Sequence, residues 1–168
     1  MKLVHWAALE PFSFPGEAPG TLPVVKALVE VRPRRRRALA LLDSGSGVSL
    51  LPRHLASALR CMPDSFDLRI RAPKGSFLAG DVLVRCSLLM DSHIVQLPLS
   101  PFLVPEPGVE LPFAVLGHEP LFEFAEVRFR SWEGRVGLSP RLPQRWGTPP
   151  GPVVKPRRPG SPNASGPV

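Results

Sequence analysis

Tyrosine is absent from the 168 residues, and Phe and Trp together make up only 7%. Any core must therefore be filled mainly by aliphatic side chains. The basic residues are also not interleaved with aromatics, which argues against binding single-stranded nucleic acid by base stacking. Only two cysteines occur, Cys61 and Cys86, with no CxxC spacing. They read as reduced, partly buried thiols. No run approaches 18 apolar residues, so no membrane span is expected. The first residues, Met1 to Trp6, lead into Glu10 and Pro11 without the apolar stretch of a secretory signal. The expectation is a cytoplasmic protein.

Acidic residues are missing from Gly134 onward, where six basic residues stand alone. The formal charge of +7 is thus unevenly spread. Residues 1–133 carry 15 Lys and Arg against 14 acids, and five of those 15 fall within Arg32–Arg37. The remainder is mildly acidic, at 10 − 14 = −4. Basicity confined to one loop and a tail argues for solvated segments and against a nucleic-acid partner.

Proline is abundant, 23 of 168 residues, which opposes long helices and favours short strands with turns. Hydrophobic residues make up 43%, enough for a core in a single domain. Leu22–Val31 alternates as a strand, with the arginine run expected at a hairpin tip. Ala38–Leu42 is short and uninterruptedly apolar, which predicts a strand buried on both faces. Another apolar stretch, Val48–Leu51, precedes a short helix opening near Pro52, with Leu55 and Leu59 sharing its buried face.

Further strands are expected at Leu68–Ala72 and Phe77–Met90, around a turn at Pro73-Lys74-Gly75-Ser76. Others fall at Ile94–Leu97, Pro112–Gly117 and Phe122–Phe129. Nine of the last 30 residues are proline, so this segment buries too little apolar surface to offset its ordering entropy. The chain divides into an extension at 1–21, a folded domain at 22–138 and a disordered Pro- and Arg-rich tail at 139–168.

The chemistry-bearing stretch is Leu41-Leu42-Asp43-Ser44-Gly45-Ser46. It places a carboxylate where an apolar strand ends in a tight turn. The small hydroxyl residues can bond backbone groups, and the glycine lets chains approach closely. The bland reading of Asp-Ser-Gly alone is an Asx-type turn. A second stretch lies 73 residues on: Ala114-Val115-Leu116-Gly117-His118-Glu119, then an apolar-acidic strand through Phe129.

Together these stretches resemble the retroviral-type (retropepsin-like) aspartic protease family across roughly Leu22 to Phe129. In that family an apolar-apolar-Asp-Thr/Ser-Gly turn precedes an apolar-apolar-Gly strand and short helix by a similar distance. The resemblance implies an all-β fold, a small closed barrel with one short helix. It also implies an aspartic endopeptidase acting on polypeptide, with no cofactor and no metal.

Asp43 would be the catalytic residue, on the active-site turn Ser44, Gly45 and Ser46. The second motif would be Leu116, Gly117 and His118, and the flap over substrate Lys74, Gly75 and Ser76. The chain holds one such turn, since Asp64-Ser65 and Asp91-Ser92 lack the following glycine. A homodimer with one aspartate per subunit is therefore implied. The sequence departs from the family at Gly47 and His118, where an Asp and an Arg commonly pair.

A catalytically inactive barrel, serving as a peptide-binding or dimeric scaffold module, is the alternative reading. Gly45-Ser46-Gly47 lacks the remaining residues of a nucleotide loop. The four histidines share no ligand spacing, which argues against zinc.

Overall fold

The computed structural model describes residues 4–11, 22–73 and 75–141. Lys74, most of the expected extension and residues 142–168 of the expected tail lie outside the described residues.

In chain order the strands are β1 (His5–Ala8), β2 (Val24–Val31) and β3 (Arg34–Leu42), followed by the helix α1 (Arg53–Leu59). Then come β4 (Leu68–Ala72), β5 (Gly75–Leu89), β6 (Ile94–Gln96), β7 (Ser100–Pro105) and β8 (Ala114–Leu116). A kinked helical turn at His118–Phe122 leads to β9 (Ala125–Arg130), and β10 (Arg135–Pro140) closes the order. The described residues are thus mostly β with one short α-helix, in keeping with the chain's proline content and short apolar runs.

Among the described residues the strands form two sheets rather than a closed barrel. The larger has the path β4-β5-β2-β3-β8, with β6 and β7 also paired to β5, and the smaller is β1-β10-β9. Closure fails for a local reason. The far edge of the short β8 is taken by one residue, Leu50, which exchanges two 2.9 Å backbone bonds with Val115. The neighbours of Leu50 bond Leu103 of β7 in turn, so a loop segment stands where a barrel would have a strand.

The register follows from period-two burial. Val25, Ala27 and Val29 of β2 face the core, as do Ala40 and Leu42 of β3. Leu39 and Leu41, on the other face of β3, are only half-buried. The expectation of burial on both faces therefore holds for one face, because no second layer among the described residues covers the other. The arginine run also departs from expectation. Only Arg32 and Pro33 form the tip, while Arg34–Arg37 continue β3 opposite Leu28–Val31. Pairing needs only backbone and register, and these arginines extend past the core into solvent.

α1 buries Leu55 and Leu59 as expected, with Pro52 immediately before the helix. Three strands stand where the sequence reading placed none. β7 contains two prolines, β1 has only four residues, and β10 lies at the edge of the compositional shift. β10 runs through Ser139, which is buried, and the Arg141 amide donates to the Phe124 carbonyl at 2.8 Å. The folded part therefore extends beyond 138. β1 is held by more than its ladder, for the Arg130 guanidinium lies 4.3 Å over the Trp6 ring and the Asp91 amide donates to the Trp6 carbonyl. His5–Ala8 is thus part of the small sheet. No helix among the described residues is long and apolar enough to cross a membrane.

Cys86 sits in the core with no exposure, and burial pushes its thiol from an ordinary 9.0 up to about 12. The unfolded thiol ionises first. Stability from this group is fully present below pH 9 and is lost as pH rises toward 12, by up to about 1.4 kcal/mol per unit. With no tyrosine to titrate in that window, the slope should be visible. Urea midpoints between pH 8 and 11 should fall with pH in the native chain and fall less steeply in Cys86→Ala.

Candidate functional site

Asp43 follows the last residue of β3 and is held by backbone contacts on both sides. The Leu42 amide donates to the Pro23 carbonyl at 2.9 Å, and the Asp43 amide donates to the Leu116 carbonyl at 3.0 Å. The second bond extends the parallel ladder of β3 and β8, in which Leu42 faces Leu116. The carboxylate points back into its own turn, where Oδ1 accepts the Gly45 amide at 2.9 Å. That is the Asx geometry read from the sequence. Asp43 is half-buried, whereas Ser44 and Gly45 are exposed. A side chain at Gly45 would meet Asp43 Oδ1 at 3.2 Å, so glycine leaves the carboxylate its turn contact.

Beyond Gly45 the chain folds under β8. The Ser46 hydroxyl donates to the Val48 carbonyl at 2.6 Å, and the Ser46 carbonyl accepts the His118 amide at 2.8 Å. Gly117 is buried in this crossing. A Cβ there would fall 2.2 Å from the Val48 carbonyl oxygen and 2.7 Å from that of Ser46. Both obstacles are backbone and cannot swing aside, so only glycine fits.

The structure adds Ser49, which sequence reasoning missed. Its hydroxyl accepts the buried Gly117 amide at 3.0 Å and donates to the Glu119 carbonyl at 2.5 Å. Ser49 is fully buried, and its signal in the sequence was one hydroxyl inside the apolar stretch Val48–Leu51.

The predicted site residues are thus partly gathered. Asp43, Ser46, Leu116, Gly117 and His118 share one network. His118 itself is exposed, with Nδ1 3.6 Å from Glu123 Oε1. At the other departure from the family, Gly47, a side chain would meet open space. Gly75 and Ser76 lie at the exposed end of the β4–β5 hairpin, where Ala72 pairs with Gly75 across the turn. Gly75 has a φ of +140°, a conformation that favours glycine. Among the described residues no hydrogen bond joins this hairpin end to the Asp43 turn. Among the same residues no three His, Cys, Asp or Glu side chains gather as a metal site.

No protein-family profile and no curated protein matches the chain. Among solved structures, a retropepsin-like aspartic protease from Rickettsia conorii matches with a TM-score of 0.51 at 13% identity. The match covers 82% of this chain and 92% of that one. At such identity the likeness establishes fold. The chain is a predominantly β protein, similar in architecture to a retropepsin-like aspartic protease.

Ser49→Ala should leave the buried Gly117 amide without its acceptor and lower stability by about 1–3 kcal/mol. Gly117→Ala should cost more, because backbone must move. Thermal denaturation of both variants beside Ser46→Ala, whose bond is local and half-buried, checks this order. Equal losses in all three would remove Ser49 and Gly117 from this structural role.

Proposed function

We propose that this chain is one subunit of an aspartic endopeptidase that hydrolyses polypeptide in the cytoplasm. In this reading Asp43 from each of two chains forms the catalytic pair. The observation that carries it is the Asp43 turn, hydrogen-bonded to the Leu116–Gly117 segment, in a chain with the fold of a retropepsin-like aspartic protease.

A single such turn supplies one carboxylate, and hydrolysis by a paired-aspartate mechanism needs two. Asp91 is engaged with Arg135, and Asp81 is an exposed residue of β5. A second copy about a two-fold axis is the economical source. The exposed Ser44, whose side chain makes no hydrogen bond among the described residues, would be available to bond across that axis.

Two carboxylates brought within about 3 Å share one proton, because ionising both is costly. The ionised member takes a proton from water, which attacks the scissile carbonyl. The protonated member hydrogen-bonds the carbonyl oxygen and donates its proton as charge develops there. Collapse of the tetrahedral intermediate then breaks the C–N bond, with the proton passed to the leaving amine. The β4–β5 hairpin, with Gly75 and Ser76 at its end, would close over the peptide and exclude water.

Asp43→Asn should abolish peptide hydrolysis and preserve the fold, since Asn keeps the Oδ1 contact to Gly45 but cannot act as base. Activity in the native chain should be bell-shaped in pH, falling when the shared proton is lost and when both carboxylates are protonated. Hydrolysis of a peptide library from acidic to neutral pH, with sedimentation of the same samples, tests both claims. Equal cleavage by both proteins removes Asp43 from the chemistry. A strict monomer that still cleaves removes the shared pair, and a folded dimer without activity favours the scaffold reading.

Gly75→Val bears on the hairpin separately. It should lower kcat/KM by at least about tenfold, with a smaller effect on stability, because a β-branched residue resists this φ. Unchanged kinetics in a folded variant would assign closure elsewhere.

A further inference from the structure

β3 has a half-open edge. The Leu42 amide bonds toward β2, and the Asp43 amide bonds toward β8. Strand alternation then sends the backbone groups of Arg34, Arg36 and Ala38 to β2 and those of Arg35 and Arg37 outward. β8 covers only Ala40–Leu42. Among the described residues, the outward amides of Arg35 and Arg37 and the Arg37 carbonyl therefore meet no strand. The Arg35 carbonyl accepts Arg36 Nη1 at 2.9 Å. An uncovered edge of this kind is a template for an added strand.

The side chains on that edge are cationic. Arg35 and Arg37 lie on one face and Arg34 and Arg36 on the other, with successive members of a face about 6.7 Å apart. Arg85 of β5 faces Glu30 from the opposite side to Arg35. Glu30 is committed to Arg32 at 3.4 Å, and Arg34–Arg37 have no ion pair among the described residues. A second copy of this edge would set arginine against arginine. The segment after Gly134 carries no acid to offer.

We propose that the Arg34–Leu39 edge of β3 is a docking strand for an extended, acidic segment of another polypeptide. The segment adds to the sheet through the Arg35 and Arg37 backbone, and its alternate carboxylates meet the guanidinium groups on either face. A nucleic acid would use the same charge but leave the amide edge unpaired. The site lies eight residues before Asp43 on one extended strand, about 26 Å away. Docking there leaves the Asp43 turn unobstructed and is independent of hydrolysis.

The test is fluorescence anisotropy of the full chain with a labelled peptide of alternating Glu and Thr. Two further probes carry the same charge: the peptide N-methylated along one edge, and a single-stranded DNA oligonucleotide. The plain peptide should bind at low salt and weaken as salt rises. N-methylation, the oligonucleotide, and the double variant Arg35→Gln/Arg37→Gln should each weaken binding at least about tenfold, with the variant's thermal midpoint unchanged. Equal affinity for the N-methylated peptide, equal or tighter affinity for DNA, or no binding at low salt overturns the proposal. The arginines would then serve charge alone, or only shield the edge from self-pairing. Should the variant misfold, the N-methylated probe still decides.

Discussion

The approach of two backbones at Gly117 is the constraint on which the site depends. A loop from Ser46 to Leu51 passes beneath β8 so closely that a single methyl group would collide with two carbonyl oxygens. The contact fixes both partners at once. It holds the loop through the Ser49 hydroxyl and the His118 amide, and it holds β8 in parallel register beside β3. Asp43 inherits its position from that register. The rigidity of the turn therefore comes from backbone hydrogen bonds between distant segments, and little of it from the turn's own side chains.

The same crossing explains why the sheet stays open. Leu50 occupies the outer side of β8 with paired backbone bonds, and the flanking residues reach β7. Backbone polar groups are satisfied without a further strand, so a barrel wall is replaced by a bridging loop. The proposed two-fold partner would stand at the Asp43 turn, where Ser44 and Gly45 remain exposed. Fold and proposed chemistry meet there: the fold provides one fixed carboxylate, and the proposal requires two.

β3 carries contrasting chemistry at its two ends. Its C-terminal half is apolar, paired on both edges, and leads into the carboxylate turn. Its N-terminal half is a ladder of arginines paired on one edge only. Strand periodicity makes this possible, since pairing is a backbone property and places no demand on the outward residues. The charge that makes the whole chain basic is thereby kept at one pole of the strand and in the segment after Gly134, away from Asp43 in the sequence.

By itself the sequence determined the class of elements and the location of the turn. Proline frequency, short apolar runs and period-two alternation placed most strands, the helix with Leu55 and Leu59, and Asp43 at a strand end, because these signals depend on residues within a few positions of one another. Only the tertiary structure decided the rest. β1 is a strand through pairing with β10 and through Trp6 beneath Arg130, contacts that span more than a hundred residues and leave no local pattern, and β10 is fixed between this distant partner and the neighbouring β9. The loop at Ser46–Leu51 displaces barrel closure because its partner, Val115, is brought beside it by the β3–β8 register. Ser49 belongs to the site for the same reason: a lone hydroxyl in an apolar run has no assigned partner until folding delivers the Gly117 amide to it.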